Sequence, residues 1–245
     1  MNRKLVWIDP HDPLPPISQA LTLDEGANGL LAAGADLSAA RLIEAYSRGI
    51  FPWFSRGEPV LWWTPSPRMV LMLDEFKISK SLRKTILRVL EDPDWEIQTN
   101  HDFQAVMQAC AAPRPGQAGT WIGSAMIAAY SELHAMGYAH SVSVMHRGEL
   151  LGGLYCVALG QMVFGESMFS RAADCSKLAL ATLVAWLRAQ GALVIDCQQR
   201  TDHLASLGGR EIDRSQFESM VQRLTGLGAM PWASAPPSKR DLTRL

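Results

Sequence analysis

A long apolar helix followed directly by an apolar strand constrains the fold of this chain more than any other feature. The segment SKLALATLVAWLRAQG, residues 176–191, is typical of a buried helix and ends at a glycine. ALVIDCQ, residues 192–198, follows it with the length and residue types of a buried strand. A helix that is apolar on most sides must be covered on most sides, so this segment predicts a layered domain with a substantial core.

Three strand candidates precede this helix, namely HSVSVMHR, LLGGLYCVAL and QMVFGESMF, and Arg147, Gly148 and Glu149 form the turn between the first two. Further upstream, SAMIAAYSELHAMG and KISKSLRKTILRVL are typical of helices, and WEIQTN predicts a short strand that opens the second domain. An antiparallel meander, a helix and a further strand are the pattern of an α+β domain of acyltransferase type.

The N-terminal part of the chain is rich in proline, glycine and tryptophan. Its one good helix candidate starts after the N-cap Ser38 and ends at Gly49. The segment PWFSRGEPVLWWTPSPR, residues 52–68, contains too much proline for a central strand. We therefore predict a small irregular domain over 1–66 and a larger α+β domain over 67–245, with a loosely held tail, SAPPSKRDLTRL.

Charge and cysteine content exclude several classes of protein. The formal net charge of −1 excludes the overall basicity of a chromatin-type protein but permits a local basic patch. The 4 cysteines are scattered and form no C-x-x-C pair, which fits neither a zinc module nor a disulfide scaffold. The longest apolar run, LALATLVAWL, is far shorter than the ~20 residues that a membrane-spanning helix needs. We therefore expect a soluble cytoplasmic protein without a metal site.

The strand ALVIDCQ ends in an acid and an amide. Because strand side chains alternate between faces, Asp196 and Gln198 should share one face while Cys197 takes the other. A carboxylate that accepts a hydrogen bond from an amide NH2 group fixes the direction of the amide oxygen, which can then orient an incoming N–H donor. The spacing supports equally well a structural role, in which Asp196 caps the following loop.

Glu166, in the segment GESMF, is a second candidate acid. Its neighbours Gly165, Met168 and Phe169 suggest a partly buried carboxylate that faces a pocket, although a surface glutamate at a strand end is the simpler alternative. If Glu166 and Asp196 lie on neighbouring strand ends, the pocket would attract a cation. This points to an amine or guanidinium substrate.

A basic stripe lies in the predicted helix KISKSLRKTILRVL. Lys77, Lys80, Lys84 and Arg88 are three, four and four residues apart, which places them on one helical face with Arg83 alongside. Such a stripe can bind phosphates, but on spacing alone a solvated helix face is the more common explanation.

Trp53, Trp62, Trp63 and Trp121 fall in stretches flanked by proline or glycine, where a flat ring can stack on an unpaired base. Rings of this kind more often form the core of a small domain. A nucleophilic role for Cys197 is disfavoured because its surroundings match no activated-thiol motif.

The chain resembles the bacterial leucyl/phenylalanyl-tRNA-protein transferases over nearly its whole length. The similar segments are NGLLAAGADLSAARLIEAYSRGIFPWF, WWTPSPR, GTWI, AYSELHAMGYAHSVSV, GGLYCVALG, FGESMFSR and IDCQQRTDHLASLGG. The resemblance implies a small N-terminal domain joined to a C-terminal acetyltransferase-like (GNAT-like) domain. It also implies transfer of leucine or phenylalanine, and sometimes methionine, from aminoacyl-tRNA to proteins with N-terminal Arg or Lys, which marks them for N-end-rule degradation.

The same resemblance implies roles for individual residues. Asp196 and Gln198 are the expected catalytic pair. We expect the substrates to contact Glu166, Leu154, Met168, Leu183, Trp53 and Trp121. We expect the tRNA backbone to contact Lys80, Arg83 and Lys84. No cofactor is required, because the ester is already activated on the tRNA.

Our hypothesis for the mechanism is positional. Gln198 accepts a hydrogen bond from the attacking amine, Asp196 locks Gln198, and a ribose hydroxyl or water carries the proton, since an amide oxygen is too weak a base. Two rival functions are an acyl-CoA N-acyltransferase and a non-catalytic module that binds RNA or protein N-termini. The first is disfavoured because the turn RAADCSK lacks the glycine-rich pattern that holds a pyrophosphate.

Overall fold

The computed structural model describes residues 5–113 and 120–245, so that Gly119, the first residue of GTWI, lies outside the described part. A four-stranded sheet is formed by residues before the predicted boundary, with strand order β1-β2-β4-β3. Its strands are β1 (Val6–Ile8), β2 (Leu30–Gly34), β3 (Phe51–Pro52) and β4 (Leu61–Trp63). Between β2 and β3 lies helix α1 (Ala39–Ser47), which the side chain of Ser38 caps as predicted.

A seven-stranded sheet is formed by residues after the boundary, with strand order β11-β5-β10-β9-β8-β7-β6. Its strands are β5 (Arg68–Met72), β6 (Trp95–Thr99), β7 (Ala139–His146), β8 (Glu149–Leu159), β9 (Met162–Ser170), β10 (Val194–Gln198) and β11 (Arg210–Ile212). Strands β6 to β9 form an antiparallel meander, and β10 returns parallel to β9 and antiparallel to β5.

Helices cover both faces of the larger sheet. They are α2 (Lys80–Glu91), α3 (Phe103–Ala111), α4 (Ser124–Ala135), α5 (Cys175–Ala189), α6 (Asp202–Ser206) and α7 (Arg214–Thr225). Helix α5 packs on one face with α2, whereas α1, α3, α4 and α7 contribute to the core on the other face. The predicted α+β class and the order of meander, helix and strand are confirmed.

Three predictions about local structure are wrong. Strand β4 is central in its sheet, because the prolines of that segment flank Leu61–Trp63 and leave its ladder intact. The larger sheet opens with β5 rather than with WEIQTN. The C-terminal tail is packed: Lys239–Arg244 forms a 3-10 helix, Leu242 is buried, and Trp186 Nε1 donates to Ala235 O at 2.7 Å.

One continuous core joins the two sheets. Tyr46 of α1 and Trp62 of β4 are fully buried in the same cluster as Phe164 of β9. The domain boundary near residue 66 therefore stays a prediction, although strands of different sheets lie on either side of it. None of the helices in the described ranges is both long and apolar enough to cross a membrane.

Candidate active site

A cavity of about 510 Å³ lies where α5, β8, β9 and the end of β10 meet the loop after β3. Seven of the residues predicted to form the site line it, namely Leu154, Glu166, Met168, Leu183, Gln198, Trp53 and Trp121. Trp62, another aromatic candidate, is instead buried in the core and donates to Gly34 O. Asp196 is not among the described residues that line the cavity.

Glu166 lies at the centre of a hydrogen-bond network in this cavity. Tyr46 Oη donates to Glu166 Oε1 at 2.7 Å, and Tyr130 Oη donates to Glu166 Oε2 at 3.2 Å. The two tyrosine hydroxyls also contact each other. Gln198 Nε2 donates to the same Oε1 at 3.3 Å. Three side chains from distant parts of the chain therefore orient one carboxylate.

Burial controls the ionisation of this network. The Glu166 carboxylate is partly open to the cavity but otherwise enclosed by protein, and this desolvation raises its pKa to about 7, although hydrogen bonds from Tyr46 and Tyr130 act in the opposite direction. Desolvation and the nearby Glu166 charge raise the pKa of both tyrosines well above the usual value. The tyrosines therefore stay protonated and act as donors, while Glu166 can change charge near neutral pH.

A β-bulge turns Gln198 into the cavity. The register of β10 against β5 shifts between Asp196 and Gln198, and Gln198 has a φ of 56°. The strict alternation that we assumed for this strand is broken there, so Cys197 and Gln198 both line the cavity while Asp196 points away from it. The prediction that Asp196 and Gln198 share a face is therefore wrong.

Asp196 is fully buried and is paired with Arg68, a residue that we did not predict for the site. Arg68 Nε donates to Asp196 Oδ1 at 2.8 Å, and Arg68 Nη2 donates to Oδ2 at 2.7 Å. Asp196 Oδ1 also accepts the backbone N–H of Gln198 at 3.0 Å. The amide NH2 of Gln198 donates to Glu166 instead of Asp196, which corrects the side-chain contact that we expected.

Sequence reasoning missed Arg68, Tyr46 and Tyr130. Arg68 ends the segment WWTPSPR, and the two tyrosines lie in the helices AARLIEAYS and SAMIAAYSELHA. Tyr46 and Glu166 are 120 residues apart in the chain, and Arg68 and Asp196 are 128 apart. Local periodicity carries no signal for such pairings.

The cavity also contains a thiol and an imidazole. Cys197 lines it, but burial and the neighbouring Asp196 raise the pKa of its thiol well above the usual range, so the reactive thiolate is disfavoured. His203 lines the cavity as well, and partial desolvation together with the charge of Lys177 lowers its pKa. The thiol is therefore a poor nucleophile and the imidazole is neutral at physiological pH.

The basic residues predicted to contact tRNA lie on the exposed face of α2, whereas Lys77 of the predicted stripe precedes the helix. Lys80, Arg83 and Lys84 are exposed, whereas Leu82 and Ile86 are buried on the other side of the helix. The structure therefore leaves the basic face open to solvent or to a partner.

Helix α2 is linked to the start of α5 through Asp174. Asp174 accepts a hydrogen bond from Thr85 Oγ1 at 3.1 Å and pairs with Lys177 Nζ at 2.8 Å. The charge of Lys177 also lowers the pKa of His203, which lines the cavity, so the contacts of Asp174 place one positive side chain between α2 and the cavity wall.

One group of side chains in the described residues has ligand atoms close enough for a metal ion. Asp92, Asp94 and His146 bring one such atom each within 4.8 Å of one another. Asp94 is already paired with Arg147, and Lys239 Nζ donates to the Asp92 carbonyl. None of the three lines the cavity, so this group contributes nothing to the candidate active site.

Two family models match the chain. One, "Leucyl/phenylalanyl-tRNA protein transferase", covers residues 70–222, and the other, the N-terminal domain of the same family, covers residues 35–66. Among solved structures, an L-PGS from Bacillus licheniformis is 13% identical with a TM-score of 0.42 over 76% of this chain and 70% of its own. FemX is 12% identical with a TM-score of 0.41 over 74% of this chain and 64% of its own.

Curated relatives are much more similar than these structures. A leucyl/phenylalanyl-tRNA–protein transferase of Burkholderia vietnamiensis (strain G4 / LMG 22486) is 60% identical over 92% of this chain and 89% of its own length. The Paraburkholderia phymatum protein with the same name is 56% identical over 96% of this chain and 97% of its own. From these matches, which extend across both sheets and the cavity between them, it follows that the chain belongs to the leucyl/phenylalanyl-tRNA protein transferase family.

Proposed function

We propose that the protein transfers leucine or phenylalanine, and methionine less efficiently, from aminoacyl-tRNA to the α-amino group of proteins that begin with Arg or Lys. The observation that carries this proposal is that an apolar lining and a carboxylate–amide pair share one cavity. The apolar part suits the side chain of the transferred residue. The polar part suits a cationic acceptor.

The aminoacyl side chain is bound by Leu154, Met168 and Leu183, which line the cavity together with Leu180 of α5. An apolar pocket distinguishes side chains by only about 1 to 3 kcal/mol per methylene. Leucine, phenylalanine and methionine are all large and apolar, so one such pocket accepts all three and disfavours alanine. This explains why a graded preference, rather than a single substrate, is expected.

The acceptor is attracted by Glu166, which is the only acid among the described residues that line the cavity. Within the described ranges no lysine or arginine is paired with it, so its charge is available to an incoming ammonium or guanidinium group. Trp53 and Trp121 line the same cavity, and we propose that their aromatic rings contribute to binding of a cation. A cationic ligand next to Glu166 would in turn favour the ionised form of the carboxylate.

Gln198 positions the attacking amine. Its NH2 group donates to Glu166, so its carbonyl oxygen is directed elsewhere and can accept an N–H bond from the amine. The α-amino group has an ordinary pKa of about 7.7 to 8.0, so a neutral fraction exists near pH 7. Holding the amine and the ester together in one site lowers the activation free energy by up to about 7 to 11 kcal/mol. A ribose hydroxyl or water carries the proton away.

The tRNA backbone binds along the exposed face of α2, through Lys80, Arg83 and Lys84. Contacts of this kind position the nucleic acid without reading its sequence, and they weaken as salt rises. Because charged tRNA is a cytoplasmic substrate, we propose that the reaction occurs in the cytoplasm and commits its products to N-end-rule degradation.

The test mixes purified protein with leucyl-tRNA that is radiolabelled in leucine and with a peptide that begins with Arg. An otherwise identical N-acetylated peptide is the control. We expect label in the free peptide only, with Lys accepted and Ala rejected at the first position, and with phenylalanyl-tRNA used better than methionyl-tRNA. Tight binding of charged tRNA without any transfer would contradict the proposal and favour a binding module. Transfer from an acyl-CoA instead would favour the other rival.

A further inference from the structure

The Arg68–Asp196 pair is buried on the side of β10 that faces away from the cavity. Both residues are 0% exposed, and the two parallel hydrogen bonds between them measure 2.8 and 2.7 Å. The guanidinium carbon lies 4.9 Å from the centre of the Phe51 ring and 4.4 Å from that of Phe217. Two aromatic rings and one carboxylate therefore hold this cation in a single place.

The pair is connected to the cavity through the backbone of Gln198. Asp196 Oδ1, which accepts from Arg68 Nε, also accepts the Gln198 N–H at 3.0 Å. Gln198 has a φ of 56°, a left-handed conformation that residues with a Cβ atom rarely adopt unless the surroundings hold them there. The hydrogen bond to Asp196 is such a restraint, and it lies at the bulge that directs the Gln198 side chain to Glu166.

We propose that Arg68 and Asp196 are positioning residues that hold the bulge at Gln198, and that Asp196 serves the reaction through this geometry and not through its charge. Arg68 fixes the carboxylate, the carboxylate fixes the Gln198 N–H, and the fixed backbone presents the Gln198 amide to the cavity. Neither Arg68 nor Asp196 lines the cavity, so neither contacts the reacting atoms. The proposal rests on the proposed function of Gln198.

Single substitutions at these positions cannot separate geometry from charge. Removal of Asp196 takes away the acceptor and leaves Arg68 buried without its partner. Removal of Arg68 leaves a buried carboxylate without a cation. A neutral pair separates the two effects, because asparagine at 196 keeps an oxygen for the Gln198 N–H and glutamine at 68 can pair with the asparagine amide.

The experiment compares kcat and KM of the Arg68→Gln, Asp196→Asn double variant with those of each single variant, Gln198→Ala and the wild type. The substrates are leucyl-tRNA and a peptide that begins with Arg. We expect Arg68→Gln alone to lower kcat by about 100-fold, the size of effect that a small misplacement of a reacting group produces, with little change in KM for the tRNA. The double variant should recover kcat to within about tenfold of the wild type, a loss smaller than that of either single variant.

A crystal structure of each variant completes the test. We expect the bulge and the Gln198 side chain to be retained in the double variant and lost in Arg68→Gln. A double variant that keeps the bulge but is as inactive as Gln198→Ala would overturn the proposal, because the carboxylate charge would then be required. Retention of the bulge in Arg68→Gln would overturn it as well, and this readout does not depend on activity. An inactive wild type would contradict the proposed function instead.

A second variant covers the case in which the double variant does not fold. Arg68→Lys keeps the positive charge but cannot make the two parallel bonds to Asp196. We expect a melting temperature close to that of the wild type with a reduced kcat. Wild-type kcat in Arg68→Lys, with Gln198 displaced in its crystal structure, would overturn the proposal.

Discussion

Glu166 and Asp196 are two enclosed carboxylates on neighbouring parallel strands, and their surroundings differ completely. Asp196 lies opposite Phe164 in the ladder between β10 and β9. Phe164 precedes Glu166 by two residues in the chain, so the two acids are close in the sheet. Asp196 is neutralised by Arg68 and faces the core. Glu166 receives only hydroxyl and amide donors and faces the cavity. A carboxylate with its own cation has a structural role, whereas one without a cation can respond to a ligand.

The difference also appears in ionisation. Desolvation without a paired cation raises the pKa of Glu166 to about 7, and the charge of Asp196 adds to this effect while Arg68 reduces it. Glu166 therefore gains or loses its charge in the physiological range. The five predictions below test this difference between a carboxylate with a paired cation and one without.

The largest effect is expected when Asp196 loses its cation. Arg68→Ala leaves a buried carboxylate unpaired, and we expect the free energy of unfolding to fall by about 3 to 5 kcal/mol, or the melting temperature by roughly 6 to 20 °C. Thermal unfolding measures it. The matched control is Arg210→Ala, which breaks the exposed pair with Glu75 and should change the free energy of unfolding by less than about 1 kcal/mol. Equal losses in the two variants would contradict the structural role of the Arg68–Asp196 pair.

Glu166→Gln should affect acceptor binding more than folding. A neutral amide cannot attract a cation, and a hydrogen bond to a charged group contributes about 1.5 to 3 kcal/mol, so KM for a peptide that begins with Arg should rise by roughly 10- to 150-fold. KM for leucyl-tRNA should change little. Glu149→Gln, on an exposed strand end, is the control and should leave both constants unchanged. A rise in KM for leucyl-tRNA alone would contradict the assignment of Glu166 to the acceptor.

The same residue should make acceptor use pH-dependent. Below about pH 7 Glu166 is protonated and neutral, so kcat/KM for the peptide should fall as pH decreases through that value. The α-amino group of the peptide also protonates there. The Glu166→Gln profile reports that effect alone, and the difference between the two profiles isolates Glu166. Superimposable profiles would contradict a titrating Glu166.

The free energy of unfolding should fall as pH rises, whereas acceptor use should increase. A carboxyl group whose folded pKa is raised from 4.5 to about 7 binds protons more tightly in the folded state, so the protein loses stability as pH rises between these values. The loss is complete above pH 7 and absent below pH 4.5. Glu166→Gln removes this dependence, so its melting temperature relative to the wild type should be higher at pH 8 than at pH 5.

The smallest effect is expected from Tyr46→Phe. This substitution removes one of the hydrogen bonds that lower the pKa of Glu166, so the pKa should rise further. A hydrogen bond to a charged group contributes about 1.5 to 3 kcal/mol, which corresponds to a change of about one to two in pKa. The midpoint of the acceptor pH profile should move upward by that amount. Phe164→Leu alters an aromatic neighbour of Tyr46 without removing a donor and should leave the midpoint in place.

The local patterns of the sequence predicted most of the larger sheet. The predicted turn at Arg147 and Gly148 is present, with positive φ angles at both residues, and the structure has β7, β8, β9, α5 and β10 within a few residues of their predicted positions. The errors concern segments whose structure depends on neighbours. Leu61–Trp63 is central because β2 and β3 lie on either side of it, and the tail is ordered because α5 offers it a surface.

Periodicity, turn chemistry and ordered motifs are properties of neighbouring residues, so the amino-acid sequence was enough to predict most strands of the larger sheet, the family and seven of the residues that line the cavity. The difference between the two carboxylates depends instead on contacts between distant parts of the chain. Arg68 and Tyr46 reach their acids across 128 and 120 residues of chain, and the bulge at Gln198 depends on its register against β5. Alternation assigned Asp196 and Gln198 to one face, whereas the bulge placed Asp196 beside a cation and Gln198 beside Glu166.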